Sequence, residues 1–423
     1  MNAVEMIRSI GSVDELKMAA DNGFAPSPRP RVNSHVHLPP NFSAFTTTAQ
    51  VIELAKQQNV LVVGVTNYYD YRVYDQFADL AKQAGIFPMF GLEIISLVDE
   101  LVKGDVKIND PGNPGRLYIC GKGTMQFQPV PPAAMQVLDR IRSADVKRMK
   151  EMSSKADAVF AAAGLDLGVS ETSIKQMIAQ RHGCSVDEVY IQERHIAQAL
   201  QESLFAKVEE AKRAELLTKV YAVAPKASVN DAVKTQNEIR SNLLRAGKPA
   251  FVTEAFVSYP EARKMIVGMG GIPCYPTLAD GASPLCGYEE TPEKLIANIQ
   301  ALDVPMAEFI PLRNTPEVLA KYVKAMRSAG IAVVGGTEHN TLDLVPLEPA
   351  CLKGDAVPDE VKAIFWEGAC VVAAHQFLTS HGQTGFVDAS GKPNAAHASA
   401  DERIKAFAKL GAAVIAQYMY MNK

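Results

Sequence analysis

Two histidines that lie two residues apart are the first feature of the sequence that could do chemistry. The segment Arg31-Val32-Asn33-Ser34-His35-Val36-His37 follows a proline-rich stretch and has the composition of a short β-strand. Residues i and i+2 of a strand point to the same face, so both imidazoles could bind one metal ion. A His-x-His motif can equally line a polar pocket or lie at the surface, and further ligands must decide between these interpretations.

Two carboxylates at the ends of other predicted strands supply such ligands. Glu93 follows the apolar residues Phe90-Gly91-Leu92, and Glu338 follows Val333-Val334-Gly335-Gly336-Thr337. A buried carboxylate is costly without a cation beside it, which favours a functional role for Glu93. Together with His35 and His37 the two carboxylates could hold a divalent ion, and mixed nitrogen and oxygen ligands suit Zn, Mn or Fe.

The elements that must position these residues alternate between strand and helix. Apolar runs predict seven strands, at residues 31–37, 60–66, 87–94, 116–120, 271–275, 306–310 and 331–335. Helical patterns separate most of them, which is typical of βαβ units and predicts a β/α barrel. The carboxyl ends of barrel strands meet at the catalytic face. Polar residues at or near those ends are Tyr68, Tyr118, Lys122, Tyr275, Arg313 and His339.

The barrel does not account for the whole chain. We predict an N-terminal helix and lead-in at residues 1–30, a barrel at 31–130 and 245–345, a helical insertion at 131–244, and a C-terminal extension at 346–423. Insertions after barrel strands lie on the catalytic face, so this one should cover the barrel mouth. The last helix, at residues 400–418, could pack on the barrel or on a second subunit of a homo-oligomer.

Composition excludes several classes of protein. The 423 residues are 48% hydrophobic and 21% charged with a net charge of −4, which gives no basic excess for nucleic acid. The sequence contains no run of eighteen apolar residues, so no membrane span is predicted. The N-terminus does not have the pattern of a signal peptide. The six cysteines form no C-x-x-C pair, which favours reduced thiols and a cytoplasmic location.

Seven motifs follow one another along the chain. They are His35-Val36-His37, Thr66-Asn67-Tyr68, Gly91-Leu92-Glu93, Tyr118-Ile119-Cys120-Gly121, Arg194-His195-Ile196-Ala197, Gly271-Ile272-Pro273-Cys274-Tyr275-Pro276 and Gly336-Thr337-Glu338-His339-Asn340. In this order they resemble the motifs of the PHP superfamily, the polymerase and histidinol phosphatase group of metal-dependent phosphoesterases. The resemblance spans most of residues 31–343 and implies a distorted seven-stranded β/α barrel.

The resemblance also implies a reduced set of metal ligands. A first ion would be held by His35, His37, Glu93 and Glu338. A second would share Glu93 and use His195, with Tyr118 where the family has histidine. A third site would be absent, because Tyr68 and Asn340 replace its histidines, unless His339 serves it. We therefore expect one or two ions.

These residues predict a metal-dependent hydrolase, most simply a phosphoesterase that acts on a small anionic molecule. His339, or alternatively His195, would be the acid/base group. Arg313, Arg194 and Lys122 would neutralise the charge of the substrate, and the hydroxyl groups of Tyr68 and Tyr275 would contact it. The alternative is an inactive or non-phosphate-hydrolysing barrel that binds a small anionic ligand. A polymerase-associated proofreading module is disfavoured, because the chain has neither a polymerase region nor a basic groove.

Overall fold

Seven strands curve into a nearly closed barrel in the computed structural model, which describes residues 2–422. Their order around the sheet is β1-β2-β3-β4-β6-β7-β8, and the short β5 pairs with β3 outside this path. The strands are β1 (Arg31–Val36), β2 (Val60–Tyr68), β3 (Phe87–Leu97), β4 (Arg116–Lys122), β5 (Val257–Ser258), β6 (Ile272–Thr277), β7 (Met306–Phe309) and β8 (Ala332–Gly335). A parallel bridge between Val36 and Glu338 joins the two ends of the sheet. The predicted α/β barrel class is confirmed.

Buried apolar runs form the strands. The valines of β2 are buried, as expected for a strand covered by the barrel interior on one face and by helices on the other. Helices α3 (Thr48–Gln57) and α4 (Val73–Gln83) follow β1 and β2, and α11 (Tyr259–Gly268), α12 (Pro292–Ala301) and α13 (Pro316–Ser328) accompany the later strands.

Strand β4 runs in the opposite direction to the other strands of the barrel. It pairs antiparallel with both β3 and β6, and Lys122 at its end lies beside Gly91 in the middle of β3. At this strand the barrel departs from the parallel βαβ units that the alternation of strands and helices predicts. As a result, Lys122 points into the barrel interior instead of lying at its mouth.

The long segment between β4 and β5 is helical and has an apolar core of its own. Its helices are α6 (Pro132–Ala162), α7 (Glu171–His182), α8 (Glu193–Lys207), α9 (Glu210–Tyr221) and α10 (Ala232–Ile239). A cluster of buried residues between Met149 and Ala250 forms this core, separate from the larger cluster that fills and surrounds the barrel.

The terminal helices pack on the barrel. Short helices α1 (Ala3–Arg8), α2 (Val13–Asp21) and α5 (Asp99–Lys103) complete the first part of the chain, and α14 (Asp359–Ser380) and α15 (Ala400–Met421) complete the last. Helix α14 contacts β1 and β8 on one side and α15 on the other. A Cβ at Gly411 of α15 would lie 1.8 Å from the Cys370 carbonyl oxygen, so glycine permits this close helix contact. Within residues 2–422 no helix has the length and apolarity needed to span a membrane.

Candidate metal centre

Three side-chain atoms from β3 and the end of β1 converge in the barrel. The Nε2 atoms of His35 and His37 lie 3.3 Å apart, and Glu93 Oε2 lies 3.7 Å and 3.3 Å from them, respectively. Two ligands of a tetrahedral ion with bonds of about 2.0–2.1 Å are separated by roughly 3.3 Å. These spacings fit a single divalent ion, and the residues form a group that could hold one.

Unsatisfied polar atoms in this group support the same fit. Glu93 Oε2 is buried without a hydrogen-bond partner among the described residues. Buried polar atoms are almost always paired, so an orphan carboxylate oxygen that faces two imidazoles fits a cation-binding site. Burial lowers the pKa of His37 despite the neighbouring Glu93, so its ring is neutral at pH 7 and able to act as a ligand.

The segment after β8 holds the two histidines in place. The backbone N–H groups of Thr337 and Glu338 donate to the His35 carbonyl oxygen, and the His37 N–H donates to that of Glu338. A Cβ at Gly336 would lie 2.5 Å from the Cβ of His35, so only glycine allows the two segments to approach this closely.

A buried carboxylate on β7, that of Glu308, orients the His35 ring through its Nδ1 atom. His35 Nδ1 lies 3.0 Å from Glu308 Oε1, and Lys122 Nζ lies 2.5 Å from Glu308 Oε2. Burial alone would raise the pKa of Glu308, but Lys122 and His35 outweigh it and hold the pKa well below its usual range. An ionised carboxylate only accepts hydrogen bonds, so His35 Nδ1 carries the hydrogen and its Nε2 lone pair faces the group.

Glu338 lies near the three candidate ligands but has another partner. Its carboxylate contacts the Arg313 guanidinium in a short ion pair. Burial raises the pKa of Glu338, whereas Arg313, His35 and His37 lower it more strongly, so the net pKa is below its ordinary value. Among the described residues, the convergent group consists of His35, His37 and Glu93 without Glu338.

The structure does not bring His195 or His339 to this group. His195 Nδ1 accepts from the Gln192 N–H, and burial lowers the pKa of His195 to about 3. His339 is hydrogen-bonded at both ring nitrogens, to Thr337 Oγ1 and to the Val345 carbonyl oxygen. Burial lowers the pKa of His339 to about 4. Both rings therefore serve local structure here.

Two of the residues expected to bind substrate also have partners elsewhere. The Tyr275 hydroxyl donates to Glu289 Oε1 at 2.6 Å on the outer face of the barrel strand. Lys122 is enclosed in the barrel with Glu308, the Ser34 carbonyl oxygen and Thr66 Oγ1. Neither side chain lines the cavity that adjoins Glu93.

A cavity of about 700 Å³ adjoins the candidate centre through Glu93. Tyr68, Arg194 and Arg313, all expected substrate contacts, line it. The Tyr68 ring stacks on His37 with centroids 5.2 Å apart, and so lies between the cavity and the ligand group. The helical segment supplies much of the opposite wall. Its cavity-lining residues include Ile141, Asp145, Arg148, Met149, Tyr190, Glu193, Arg240, Arg245 and Glu254.

Tyr118 also lines the cavity, and its environment keeps it protonated. Burial raises the pKa of Tyr118 to about 12, although Arg116, 5.3 Å from the ring centroid, opposes this effect. A neutral phenol is a poor metal ligand. The second ion implied by the resemblance would thus lack both of its other ligands, because His195 is also directed elsewhere.

Glu308 is the main site residue that the sequence analysis missed. It lies in the apolar run Val304-Pro305-Met306-Ala307-Glu308-Phe309-Ile310. The reasoning that singled out Glu93, a lone acid in an apolar strand, applies equally to Glu308 and could have found it. The arginines of the helical segment had no comparable signal, because charged residues are common on helices.

Comparisons with known proteins bear on the fold. No protein-family model matches this chain, and no curated protein matches it. It is similar in structure to a provisionally assigned metal-dependent phosphoesterase from Bifidobacterium adolescentis, with 15% identity over 81% of this chain and 97% of that chain and a TM-score of 0.51. It is also similar to an amidohydrolase from Chromobacterium violaceum with bound sulfate and no metal, with 19% identity over 79% and 96% and a TM-score of 0.50. At these identities the likeness establishes a shared barrel fold.

Proposed function

We propose that this chain is a metal-dependent hydrolase that acts on a small anionic molecule, and that the reaction it catalyses is the hydrolysis of a phosphate ester. The convergence of His35 Nε2, His37 Nε2 and Glu93 Oε2 within 3.3–3.7 Å carries this proposal. We also propose membership of the PHP superfamily, with a ligand set reduced to one ion. Zn, Mn and Fe all suit these ligands.

The adjoining cavity supplies the remaining parts of such a site. When bound, a divalent ion polarises a phosphoryl or carbonyl oxygen and lowers the pKa of bound water toward about 7. Arg313 lines the cavity beside Glu338 and is about one-third exposed, so it can bind an oxyanion of the substrate. The ring of Tyr68 covers His37 and limits the access of solvent to it.

The alternative remains a barrel that binds a small anion without hydrolysing it. One observation favours this alternative: His195 is hydrogen-bonded to the backbone of Gln192 and Pro40, and both ring nitrogens of His339 are engaged, so neither ring offers the cavity a free acid/base group. Catalysis would then depend on a carboxylate or on water, and a purely binding function would need neither.

Turnover with a matched variant separates the two functions. Purified protein loaded with Zn²⁺, Mn²⁺ or Fe²⁺ should hydrolyse at least one member of a panel of phosphate monoesters and cyclic esters. His37→Ala should abolish that turnover while circular dichroism shows a folded protein. Absence of turnover across the panel, with metal bound, would favour the binding function.

A further inference from the structure

Three arginines of the cavity are poorly compensated by acids of the described residues. Arg194 lies at the start of α8, Arg240 follows α10, and Arg245 lies five residues further on. No carboxylate within residues 2–422 forms an ion pair with Arg194 or Arg245, and Glu193 lies 3.9 Å from Arg240. The other three arginines of the cavity are paired with acids: Arg116 with Asp110 and Glu254, Arg148 with Glu193 and Glu254, and Arg313 with Glu338.

The ion pair available to Arg240 is weak, because its acid is already engaged. Glu193 Oε1 lies 2.5 Å from Arg148 Nη2, and only its other oxygen faces Arg240. The Arg240 Nε atom is buried and has no hydrogen-bond partner in the described part of the chain. A donor of this kind is costly to bury unless an acceptor binds it.

The guanidinium groups of Arg194, Arg240 and Arg245 line the same cavity, so their like charges repel one another. Arg194 and Arg240 together flank a second, smaller cavity beside Phe42. Burial, followed by repulsion from Arg194 and Arg245, lowers the pKa of Arg240 to about 9. Like charges are gathered at a cost where an anion is to be bound. Within residues 2–422 the acid nearest to Arg240 is Glu193, which is already engaged by Arg148.

We propose that Arg194, Arg240 and Arg245 form a subsite for an oxyanion, which holds a second anionic group of the substrate away from the metal centre. The ligand would be a small molecule with two anionic groups that fits a cavity of about 700 Å³. Guanidinium forks match phosphate and carboxylate oxygens alike, so the shared chemistry is that of an oxyanion. The assignment of the other anionic group to the metal centre rests on the proposed function, whereas the arginine subsite does not.

Anion binding by the metal-free protein tests this subsite directly. Protein dialysed against EDTA is titrated with inorganic phosphate, and in parallel with acetate, at an ionic strength held constant with NaCl. Calorimetry gives the affinity, and the thermal shift gives the stabilisation that accompanies binding. We expect phosphate or acetate to stabilise the wild type, and Arg240→Gln and Arg245→Gln each to weaken that binding at least tenfold.

Two further variants make the result specific. Arg181→Gln removes an exposed arginine of α7 that is paired with Glu202, and it should bind the anion like the wild type. His37→Ala should also bind like the wild type, since the subsite does not use the candidate metal ligands. Arg245 is exposed, so its variant keeps the test valid should Arg240→Gln fail to fold.

The outcomes are distinguishable from those of the proposed function. The subsite is overturned if neither anion stabilises the wild type beyond NaCl, or if folded Arg240→Gln and Arg245→Gln bind as tightly as the wild type. Arginine-dependent binding supports the subsite even when no ester is hydrolysed. In that case only the hydrolase proposal fails.

Discussion

Glu308 Oε1 lies 3.0 Å from His35 Nδ1, and this contact links the candidate metal centre to a buried ion pair inside the barrel. It fixes which nitrogen of His35 carries the hydrogen, and it turns the other nitrogen toward His37 and Glu93. Lys122 compensates the charge of Glu308. Glu308 and Lys122 therefore form a support for one candidate ligand, His35.

This support gives a test that separates metal affinity from stability. Glu308→Gln leaves Lys122 buried without a counter-charge, and we expect the free energy of unfolding to fall by about 3 kcal/mol or more. Metal affinity should fall by roughly 10–100-fold, because His35 loses the negatively charged acceptor that orients it. Chemical unfolding and calorimetric titration with Zn²⁺ measure the two effects.

The double variant Glu308→Gln/Lys122→Met provides the control. Removing both charges should restore much of the stability, while the metal affinity stays low, since His35 still lacks the carboxylate. A double variant that recovers wild-type metal affinity would show that Glu308 does not act through His35.

Glu93→Gln should weaken metal binding without lowering the stability of the metal-free protein. The Glu93 Oε2 atom is buried without a hydrogen-bond partner, so in the metal-free protein no donor stabilises the charge on that oxygen. We expect the variant to be as stable as the wild type in EDTA, or more stable by about 1 kcal/mol. Its affinity for Zn²⁺ or Mn²⁺ should fall at least tenfold. Glu348→Gln, a surface acid paired with Arg31, is the matched control. A clear loss of stability in EDTA would mean that Glu93 is structural.

Glu338 should matter less for metal binding than Glu93. Its carboxylate is engaged by Arg313, whereas Glu93 faces both imidazoles. We expect Glu338→Gln to weaken metal binding less than tenfold in the same calorimetric titration. An equal loss in the two variants would show that Glu338 leaves Arg313 and becomes a ligand when the ion binds.

A histidine outside the site should make stability depend on pH. His375 Nε2 donates to the Gly270 carbonyl oxygen, its Nδ1 accepts from the Phe386 N–H, and burial lowers its pKa to about 4. As the pH falls, the histidine of the unfolded chain takes up a proton first. The contribution of neutral His375 to the free energy of unfolding is therefore complete above about pH 6.5 and is lost as pH falls through about 4.

Urea unfolding in EDTA at pH 7.5 and pH 4.5 measures this contribution. When the pH falls from 7.5 to 4.5, the free energy of unfolding of His375→Gln should decrease by about 2 kcal/mol less than that of the wild type. His397→Asn, at a partly exposed histidine, should behave like the wild type. Identical pH dependence in wild type and His375→Gln would contradict the assignment.

Local pattern was enough to predict the seven barrel strands and the three side chains that converge. The apolar run that ends at Glu93 and the His35-Val36-His37 alternation both depend on neighbouring residues only. The direction of β4 was out of reach, because a short strand has the same pattern whichever way it runs. The orientations of His195 and His339 were equally out of reach, since each depends on backbone groups that the fold brings to the ring.

Helix α14 was missed for a different physical reason. It is apolar on most faces, because it packs between β8 and α15 and has little of the polar face by which a surface helix is recognised. The domain limits expected from the sequence stay a prediction.

Metal stoichiometry is the most direct test of the central claim, that His35, His37 and Glu93 hold one divalent ion. Elemental analysis after dialysis against Zn²⁺ or Mn²⁺, together with calorimetric titration, should find one ion per chain in the wild type and none in folded His37→Ala. A wild-type protein that retains no ion, or a His37→Ala protein that binds as tightly as the wild type, would contradict the account.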